Sequence, residues 1–223
     1  MTPPTANHSP PKTIERLSEY RRLLSTCLEQ GFTHLFSHDI ADIYGSTAVQ
    51  VRRDLMLIGF SSDTKRGYDI KLLIDHIDDL LFTEDAVNIA LIGIGRVGQA
   101  MTSFFKEKGL KHMRIAAAFD IDEAKVGTRI DGVYCYHVDE LKEVVKRKKL
   151  SIAILSVPTS VAPYMVDPIV DAGFKGVVNF TSAPLLFPDH IVAEHYDVMM
   201  ILEKVAYYIK EQEENEQNEQ NAK

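Results

Sequence analysis

The chain has no tryptophan and only two cysteines, Cys27 and Cys135. Neither cysteine belongs to a Cys-x-x-Cys pair or to another metal-ligand spacing, so we expect no metal site and no disulfide framework. The sequence also lacks an apolar run near the ~20 residues of a membrane-spanning helix. Because residues 1–11 contain no apolar core, they do not resemble a signal peptide. We therefore expect a cytoplasmic protein with no membrane partner.

Positive charge is scarce, since 25 lysines and arginines stand against 32 aspartates and glutamates. The formal net charge of −7 argues against a general binder of polyanions, but the imbalance is uneven. Residues 211–223 contain five glutamates and no large apolar side chain, so we expect a disordered acidic tail there. A second disordered tail is predicted over residues 1–11. The rest of the chain is only mildly acidic and has room for a local basic surface.

Signatures of common enzyme mechanisms are missing as well. None of the nine tyrosines is followed four residues later by a lysine, so the Tyr-x-x-x-Lys pair is absent. His190 and His195 are five residues apart, which does not match a metal-binding pair on a helix. His34 and His38 are predicted to lie at the surface. We therefore predict no catalytic residues and no enzymatic activity.

A glycine-rich segment lies between an apolar run and a predicted helix. The apolar run, 87–92, is followed by Gly93, Ile94, Gly95, Arg96, Val97 and Gly98, and the helix is predicted over 97–108. A Gly-x-Gly-x-x-Gly turn in this position binds the pyrophosphate of a dinucleotide through its backbone and the helix N-terminus. These six residues are therefore predicted to bind the cofactor.

An acidic residue follows at the distance that such a site requires. Asp120 lies 22 residues after Gly98, where a carboxylate binds ribose hydroxyls and repels a 2′-phosphate. With Ile121 it is predicted to hold the adenosine half, which favours NADH and NAD+ over NADP(H). The alternative is that Asp120 only caps the turn after a strand. Two other strand ends are predicted to surround the nicotinamide half, and they carry Ser156, Val157 and Pro158 and then Asn179 and Phe180.

The segment around these motifs alternates between strands and helices. Strands are predicted at 87–92, 114–119, 133–136, 152–157 and 176–179, with helices at 97–108, 139–148 and 160–172. This alternation, with strands that are apolar on both faces, is typical of a doubly wound parallel sheet. Residues 83–196 are therefore predicted to form an α/β Rossmann domain that binds NAD(H).

The preceding segment has the spacing of a helix-turn-helix unit. Helices are predicted over 13–29, 39–44, 47–57 and 70–81. The third helix is predicted to enter the major groove of DNA, with contacts from Ser46, Thr47, Gln50, Arg52 and Arg53. A basic hairpin is predicted to form a wing that carries Lys65, Arg66, Gly67 and Tyr68. Residues 12–82 are therefore predicted to be a winged-helix DNA-binding domain. The alternative is a helical dimerisation domain with solvated arginines.

Residues 197–210 form a predicted helix with apolar side chains almost all round it. A helix with so little polar surface must be buried on several sides, and a second copy of the chain most easily provides that cover. We expect a homodimer held partly by this C-terminal helix, swapped into the partner.

Four motifs occur together in this chain: Val51-Arg52-Arg53-Asp54-Leu55, the Arg66-Gly67-Tyr68 of the wing, Phe119-Asp120-Ile121-Asp122 and Asn179-Phe180-Thr181. Their combination resembles the Rex family of bacterial redox-sensing transcriptional repressors, from about residue 12 to about residue 210. The resemblance implies a homodimer that binds an inverted-repeat operator in double-stranded DNA. It also implies that the operator is bound when the NADH/NAD+ ratio is low and is released when NADH binds.

The resemblance further implies a switch between two dimer arrangements. Arg22 matches an arginine of the family's first helix, and Asp197 matches the aspartate that pairs with it in the DNA-binding state. Phe104 stands where the family has a tyrosine that can replace this arginine as the partner of the aspartate. From the residues alone, Asp197 is a helix N-cap.

Two other functions fit the same sequence. One is an NAD-dependent oxidoreductase, or a nucleotide-binding subunit with a helical dimerisation domain. The other is a DNA-binding regulator that senses a different nucleotide, such as a CoA derivative. The combination of the glycine-rich turn, the helix-turn-helix and the apolar terminal helix favours the redox-sensing repressor.

Overall fold

The computed structural model describes residues 10–61 and 65–221, with side chains described as far as residue 217. The chain forms two compact units that divide between Asp85 and Ala86. The predicted domain boundary, between residues 82 and 83, lies three residues earlier. Most of the predicted N-terminal tail lies outside the described residues, and so do residues 62–64, which precede the basic residues of the predicted wing.

The first unit consists of four helices and a two-stranded ribbon. Its elements are α1 (Pro11–Glu29), β1 (His34–Leu35), α2 (Ser37–Tyr44), α3 (Ala48–Leu57), β2 (Tyr68–Asp69) and α4 (Ile70–Leu81). Each helix buries one apolar face in a shared core, in which Leu17, Ile40, Val51 and Leu73 are completely buried. This is the helix order of the predicted helix-turn-helix unit.

The turn between α2 and α3 has the form that its sequence predicts, shifted by one residue at the cap. Gly45 takes a left-handed conformation with φ of 80°, which a residue with a side chain rarely adopts. The N-cap of α3 is Thr47 and not Ser46, because the Thr47 Oγ1 accepts a hydrogen bond of 3.2 Å from the backbone N–H of Gln50.

The segment after the basic residues of the wing pairs with a strand that the sequence did not predict. β2 pairs antiparallel with β1, so that Tyr68 lies opposite Leu35 and Asp69 opposite His34. The strand after the basic residues is therefore fixed to the segment between α1 and α2. The strand β1 was not predicted, because two residues are too few to show an alternating pattern.

The second unit is a seven-stranded sheet with helices on both faces. Its strands are β3 (Val87–Ile92), β4 (Met113–Asp120), β5 (Arg129–Ile130), β6 (Val133–His137), β7 (Leu150–Leu155), β8 (Gly176–Asn179) and β9 (Val192–His195). Its helices are α5 (Arg96–Lys108), α6 (Leu141–Lys148), α7 (Val166–Ala172) and α8 (Val198–Asn221), with short 3-10 turns before α6 and α7. The strands β5 and β9 were missed by the sequence analysis.

The strand order is β5-β6-β4-β3-β7-β8-β9, and every pair except β5–β6 is parallel. The six parallel strands thus have the order 3-2-1-4-5-6 of a dinucleotide-binding Rossmann sheet. Alternate residues of β3 face two different cores, with Ile89 and Leu91 on one face and Ala90 and Ile92 on the other. The predicted fold class is confirmed.

The last helix, α8, is longer than predicted. It runs through Asn221, so residues 211–221 are helical and not a disordered tail. The reason is that glutamate and glutamine favour a helix even where they bury nothing, and Lys210 and Glu214 add an i,i+4 ion pair of 3.5 Å. Every side chain described in α8 is exposed in the single chain.

Two absences hold for the described part of the chain. Over residues 10–61 and 65–221, no helix is long and apolar enough to cross a membrane. Over the same residues, no group of three or more His, Cys, Asp or Glu side chains is arranged to hold a metal ion.

Candidate functional site

The glycine-rich loop joins β3 to α5 at the point where the strand order reverses. Gly93 has φ of +91°, and a Cβ at this position would lie 2.7 Å from the carbonyl oxygen of Ser156. A Cβ on Gly98 would collide with the carbonyl oxygen of Gly93. Both positions therefore require glycine, one for its conformation and both for the close packing of strand and helix.

Hydrogen bonds attach this loop to the strands on either side of β3. The N–H of Gly93 donates to the Phe119 carbonyl on β4 at 2.8 Å. The hydroxyl of Ser156, which follows β7, donates to the Gly93 carbonyl, also at 2.8 Å. The loop is thereby attached to both neighbouring strands.

The N-terminus of α5 faces open space. Gly95 is the N-cap residue of this helix, and a Cβ added to it would have no heavy atom within 4 Å. The first backbone N–H groups of a helix have no partner inside the helix, and they carry the positive end of its dipole. The space in front of Gly95 is therefore suited to an anionic group such as a pyrophosphate.

Asp120 ends β4 beside this loop, and its carboxylate already holds three donors. Oδ2 accepts from the N–H of Ile94 at 2.8 Å and from the Nζ of Lys125 at 3.1 Å. Oδ1 accepts from the N–H of Asp122 at 3.0 Å. Burial by itself would raise the pKa of Asp120, but these hydrogen bonds outweigh it and lower the pKa below the ordinary carboxyl value. The group is a carboxylate at neutral pH.

A mainly apolar cavity of about 320 Å³ opens between the ends of β3, β4 and β7. Predicted cofactor-binding residues in its lining are Gly93, Gly95, Asp120, Ile121, Ser156, Val157 and Pro158. Other lining residues were not predicted from the sequence, and they are Ile92, Phe119, Lys125, Val138, Val161 and Met165. Lys125 had one available signal, a cation five residues after the acidic residue of the motif.

Other predicted cofactor contacts lie elsewhere. The Ile94 side chain is fully buried in the core, so only its backbone is near the loop, while Arg96 and Val97 are exposed on α5. Asn179 is completely buried, and its amide is used internally. Its Nδ2 donates to the Ala183 carbonyl at 2.9 Å and contacts the His195 Nδ1 at 3.1 Å. Phe180, which follows it, packs against the ring of Tyr196.

The predicted DNA-reading residues of α3 divide into two groups. Thr47, Arg52 and Arg53 are exposed, and Ser46 and Gln50 are half-buried. The Gln50 Nε2 donates to the Asp54 Oδ1 at 2.9 Å, and an Arg52 nitrogen donates to the Ser37 Oγ at 2.9 Å. Within residues 10–61 and 65–221, Arg53 makes no hydrogen bond or ion pair. Among the described residues predicted to read DNA, Arg53 thus has a guanidinium with all of its donors available to a ligand.

The predicted wing residues also divide. Lys65 and Arg66 are exposed, but Gly67 and Tyr68 are buried. A Cβ on Gly67 would lie 2.5 Å from the Leu35 carbonyl oxygen, and the Tyr68 ring belongs to the core and packs near Phe60. Gly67 and Tyr68 therefore anchor the wing, which differs from the DNA contact predicted for them.

A buried charged cluster beneath α3 was not predicted. The Asp54 carboxylate is inaccessible to solvent and accepts two hydrogen bonds of 2.6 Å from Arg16 on α1. It also accepts from the hydroxyl of Tyr20 at 3.1 Å. Burial would raise the pKa of Asp54, but the hydrogen bonds from Arg16, Gln50 and Tyr20 together lower it. The cluster fixes α3 to α1 through an ionised carboxylate.

The three predicted switch residues are all at the surface of their own unit. Arg22 is exposed on α1, and Phe104 is 49% exposed on α5. The Asp197 Oδ1 accepts hydrogen bonds from the N–H groups of Met199 at 2.9 Å and Met200 at 3.4 Å, so Asp197 caps α8. Its predicted pairing with Arg22 stays a prediction.

Comparison with protein families gives one match in each unit. Residues 9–55 match a family described as the N-terminus of a putative DNA-binding protein. Residues 84–183 match a family described as a CoA binding domain. The first match covers α1, α2 and most of α3, and the second covers the Rossmann sheet from β3 to β8.

Curated relatives match nearly the whole chain. A redox-sensing transcriptional repressor Rex from Leuconostoc citreum is 36% identical over 200 residues, which cover 90% of this chain and 92% of the relative. Its counterpart from Carboxydothermus hydrogenoformans is 34% identical, with 90% and 96% covered.

Solved structures match over a similar span. The Rex-family repressor RSP has been crystallised with β-NAD+ and operator DNA, and that structure gives a TM-score of 0.86 at 28% identity over 94% of this chain and 96% of RSP. RSP with β-NADH gives a TM-score of 0.82 at 27% identity, over 95% of this chain and 99% of RSP.

A Rossmann domain with a dinucleotide-type loop and a helix-turn-helix unit in one chain define a DNA-binding regulator with a nucleotide-binding domain. Together with the curated relatives, they identify the family. The chain belongs to the Rex family of redox-sensing transcriptional repressors. The predicted resemblance is confirmed, and so is the prediction of a transcription regulator and not an enzyme.

Proposed function

We propose that this protein binds NADH and NAD+ at the glycine-rich loop and represses transcription by binding operator DNA through α3. The observation that carries the proposal is the loop of Gly93–Gly98 with Asp120 beside it at the switch point of a Rossmann sheet. The helix-turn-helix unit in the same chain supports a regulator that senses the dinucleotide and not an enzyme that consumes it. Because the operator lies in chromosomal DNA, the proposed location is the cytoplasm.

The proposed dinucleotide lies along the loop and in the cavity. Its pyrophosphate meets the N–H groups at the start of α5, in the open space before Gly95. Of the four acceptor positions of the Asp120 carboxylate, Ile94, Asp122 and Lys125 use three, so Oδ1 retains one for a ribose hydroxyl. The carboxylate disfavours a 2′-phosphate.

The nicotinamide half is proposed to lie at the end of β7, near Ser156, Val157 and Pro158. Asn179 is a positioning residue in this proposal, because its amide holds the Thr181–Ala183 turn and so fixes Phe180. When bound, the nicotinamide supplies the oxidation state that the protein reads. The protein residues supply binding and orientation.

The proposed operator contacts come from Thr47, Arg53 and Arg52 on the recognition helix and from Lys65 and Arg66 at the wing. These side chains are exposed and, apart from Thr47, cationic. Gln50 is assigned to holding Asp54, because its amide nitrogen is already engaged there. Some of these cations are expected to contact DNA phosphates, and such contacts give an operator affinity that falls as the salt concentration is raised.

The proposed assembly is a homodimer in which the partner covers α8. Nine large apolar side chains between Val198 and Ile209 are at least 41% exposed in the single chain. An apolar surface of that extent on one helix is typical of an interface and not of a solvated helix. A homodimer also fits an inverted-repeat operator, since each subunit then reads one half-site.

The proposed switch shifts the population between two dimer arrangements. NADH must bind the DNA-incompetent arrangement more tightly, because a ligand with equal affinity for both shifts nothing. Within the described residues, the hydrogen bonds that Asp197 accepts all go to its Oδ1. Its Oδ2 is therefore available to Arg22 in the proposed pairing. Phe104 has no hydroxyl and cannot act as the alternative hydrogen-bond partner of Asp197.

The experiment that tests the function is an operator mobility shift titrated separately with NADH and NAD+. NADH is expected to dissociate the protein–operator complex at concentrations at which NAD+ does not. Arg53→Ala is expected to lose operator binding and keep NADH binding, and Asp120→Asn is expected to do the reverse. Equal effects of the two cofactors would contradict redox sensing.

The second candidate is a DNA-binding regulator that senses a CoA derivative. It is favoured by the family match over residues 84–183, which is described as a CoA binding domain. Competition separates the two candidates. Displacement of bound NADH by acetyl-CoA at micromolar concentration, together with release of the operator, would favour the second candidate.

A further inference from the structure

The exposed face of α3 is more apolar than a DNA-reading helix needs for phosphate contacts alone. Val49 is 66% exposed and Met56 is 75% exposed, and Leu57 beside them is 55% exposed. Val49, Arg53 and Met56 are spaced i, i+4 and i+7, so they form one stripe along the helix. The stripe carries one charge between two apolar side chains.

The stripe lies beside two polar side chains of α3 that already make hydrogen bonds within the protein. Gln50 is held by Asp54, and Arg52 donates to Ser37. A shallow depression of about 470 Å³ is lined by Val49, Arg52, Arg53, Met56 and Leu57. Its lining is thus two cations and three apolar side chains, which is a mixed surface with no acidic residue.

We propose that Val49 and Met56 recognise the 5-methyl groups of thymines in the operator, on either side of the base or phosphate that Arg53 contacts. Thymine is the base that presents a methyl group in the major groove, next to acceptors that an arginine can reach. The assignment rests on the proposed operator binding. It makes Val49 and Met56 specificity-determining residues.

A nucleic-acid duplex suits this surface better than a second copy of the chain does. In a two-fold contact between copies, the same patch meets itself. Such a contact would bring Arg52 and Arg53 of both copies into one interface that has no acidic residue, and like charges in one interface oppose association. A duplex supplies phosphates for the arginines and methyl groups for the apolar side chains on one surface.

The test replaces operator thymines one at a time with deoxyuridine, which keeps the base pair and removes only the methyl group. For the wild-type protein, affinity is expected to fall about fourfold at each contacted thymine, the value for one buried carbon. In Val49→Ala and Met56→Ala the deoxyuridine effect is expected to disappear at one position per half-site, and at a different position for each variant. Neither variant is expected to change the slope of affinity against salt, because neither side chain contacts a phosphate.

Leu72→Ala is the matched control, since Leu72 is 60% exposed on α4 and outside the stripe. This variant is expected to keep every deoxyuridine effect. Equal affinity of the wild type for thymine and deoxyuridine at all positions would overturn the assignment while leaving the proposed repressor function intact. A loss of dimer mass in Val49→Ala or Met56→Ala would also overturn it, by making the stripe a protein interface. If wild-type protein formed no operator complex, the proposed function would fail, and this assignment with it.

Discussion

Arg16 and Asp54, which are 38 residues apart in the sequence, form two parallel hydrogen bonds of 2.6 Å each between α1 and α3. The carboxylate is inaccessible to solvent, and the arginine side chain is 21% exposed. A planar guanidinium matches a carboxylate in this bidentate form, which fixes geometry as well as charge. The proposed recognition helix α3 is therefore held in a fixed orientation on α1 by this pair.

Replacing Arg16 with methionine tests the strength of this pair. Arg16→Met leaves the buried Asp54 carboxylate without its cation, which is expected to reduce the free energy of unfolding by about 3 kcal/mol. The measurement is urea unfolding followed by circular dichroism. Lys12→Met is the matched control, because Lys12 is an exposed cation on the same helix. It is expected to change stability by less than about 0.5 kcal/mol.

The same pair predicts a pH dependence. The pKa of Asp54 is lowered in the folded protein, despite burial that alone would raise it, because Arg16, Gln50 and Tyr20 donate hydrogen bonds to its carboxylate. Its contribution to stability is therefore complete above the ordinary carboxyl pKa of about 3.9 and is lost as the pH falls through the lower folded value.

Comparing the wild type with Asp54→Asn isolates this effect, since other carboxylates titrate equally in both. The wild type is expected to be the more stable at pH 7, and the difference is expected to narrow as the pH approaches 3. A difference that stayed constant over this range would contradict an ionised Asp54.

The glycines of the loop are expected to respond differently to the same substitution. Gly98→Ala places a Cβ against the Gly93 carbonyl oxygen, so we expect a less stable protein as well as lost NADH binding. Gly95→Ala meets nothing within 4 Å in the protein. It is expected to keep its melting temperature within a few degrees and to lose at least about tenfold in NADH affinity, or about 1.4 kcal/mol. Calorimetric titration and thermal unfolding of both variants measure the contrast, and an unchanged NADH affinity in Gly95→Ala would place the pyrophosphate elsewhere.

Two truncations test the role of α8 in dimerisation. A chain that ends after Tyr196 lacks the apolar helix and is expected to be monomeric by light scattering. A chain that ends after Lys210 keeps the apolar residues and is expected to remain dimeric, because residues 211–217 are exposed and polar. A dimer in both cases would mean that another surface holds the subunits together.

Local motifs account for what could be predicted from the sequence. Gly93, Gly98 and Asp120 were predicted because their spacing along the chain matches a known strand–turn–helix motif. The fold class was predicted because strands and helices alternate in the sequence. The contacts of Asp54 are not encoded in any of the motifs, and Lys125 had only one signal, its position five residues after Asp120. The Arg16–Asp54 pair joins two helices, and a charged residue inside a helical pattern is more often solvated than buried.

Other predictions were wrong because the exposure or order of a residue was inferred from its neighbours in the sequence. Tyr68 follows two basic residues, yet it is fixed in the core by pairing with Leu35. The helical extension of α8 was missed because a lack of apolar residues shows that a segment buries nothing, and not that it is unfolded. Strand β9 lies at the edge of the sheet, and its residues Val192–His195 are mostly exposed, so it lacks the apolar run that indicates a buried strand.

The parallel sheet has a consequence for how far a cofactor signal must travel. Adjacent strands lie roughly 4.8 Å apart, and β7, β8 and β9 are neighbours, so the strand end beside Ser156 and the strand end that precedes α8 are separated by about 10 Å. A single side chain spans part of that gap, because Asn179 on β8 contacts His195 on β9. Both strand ends are carboxyl ends of parallel strands, so the proposed nicotinamide site and the start of α8 lie at the same end of the sheet.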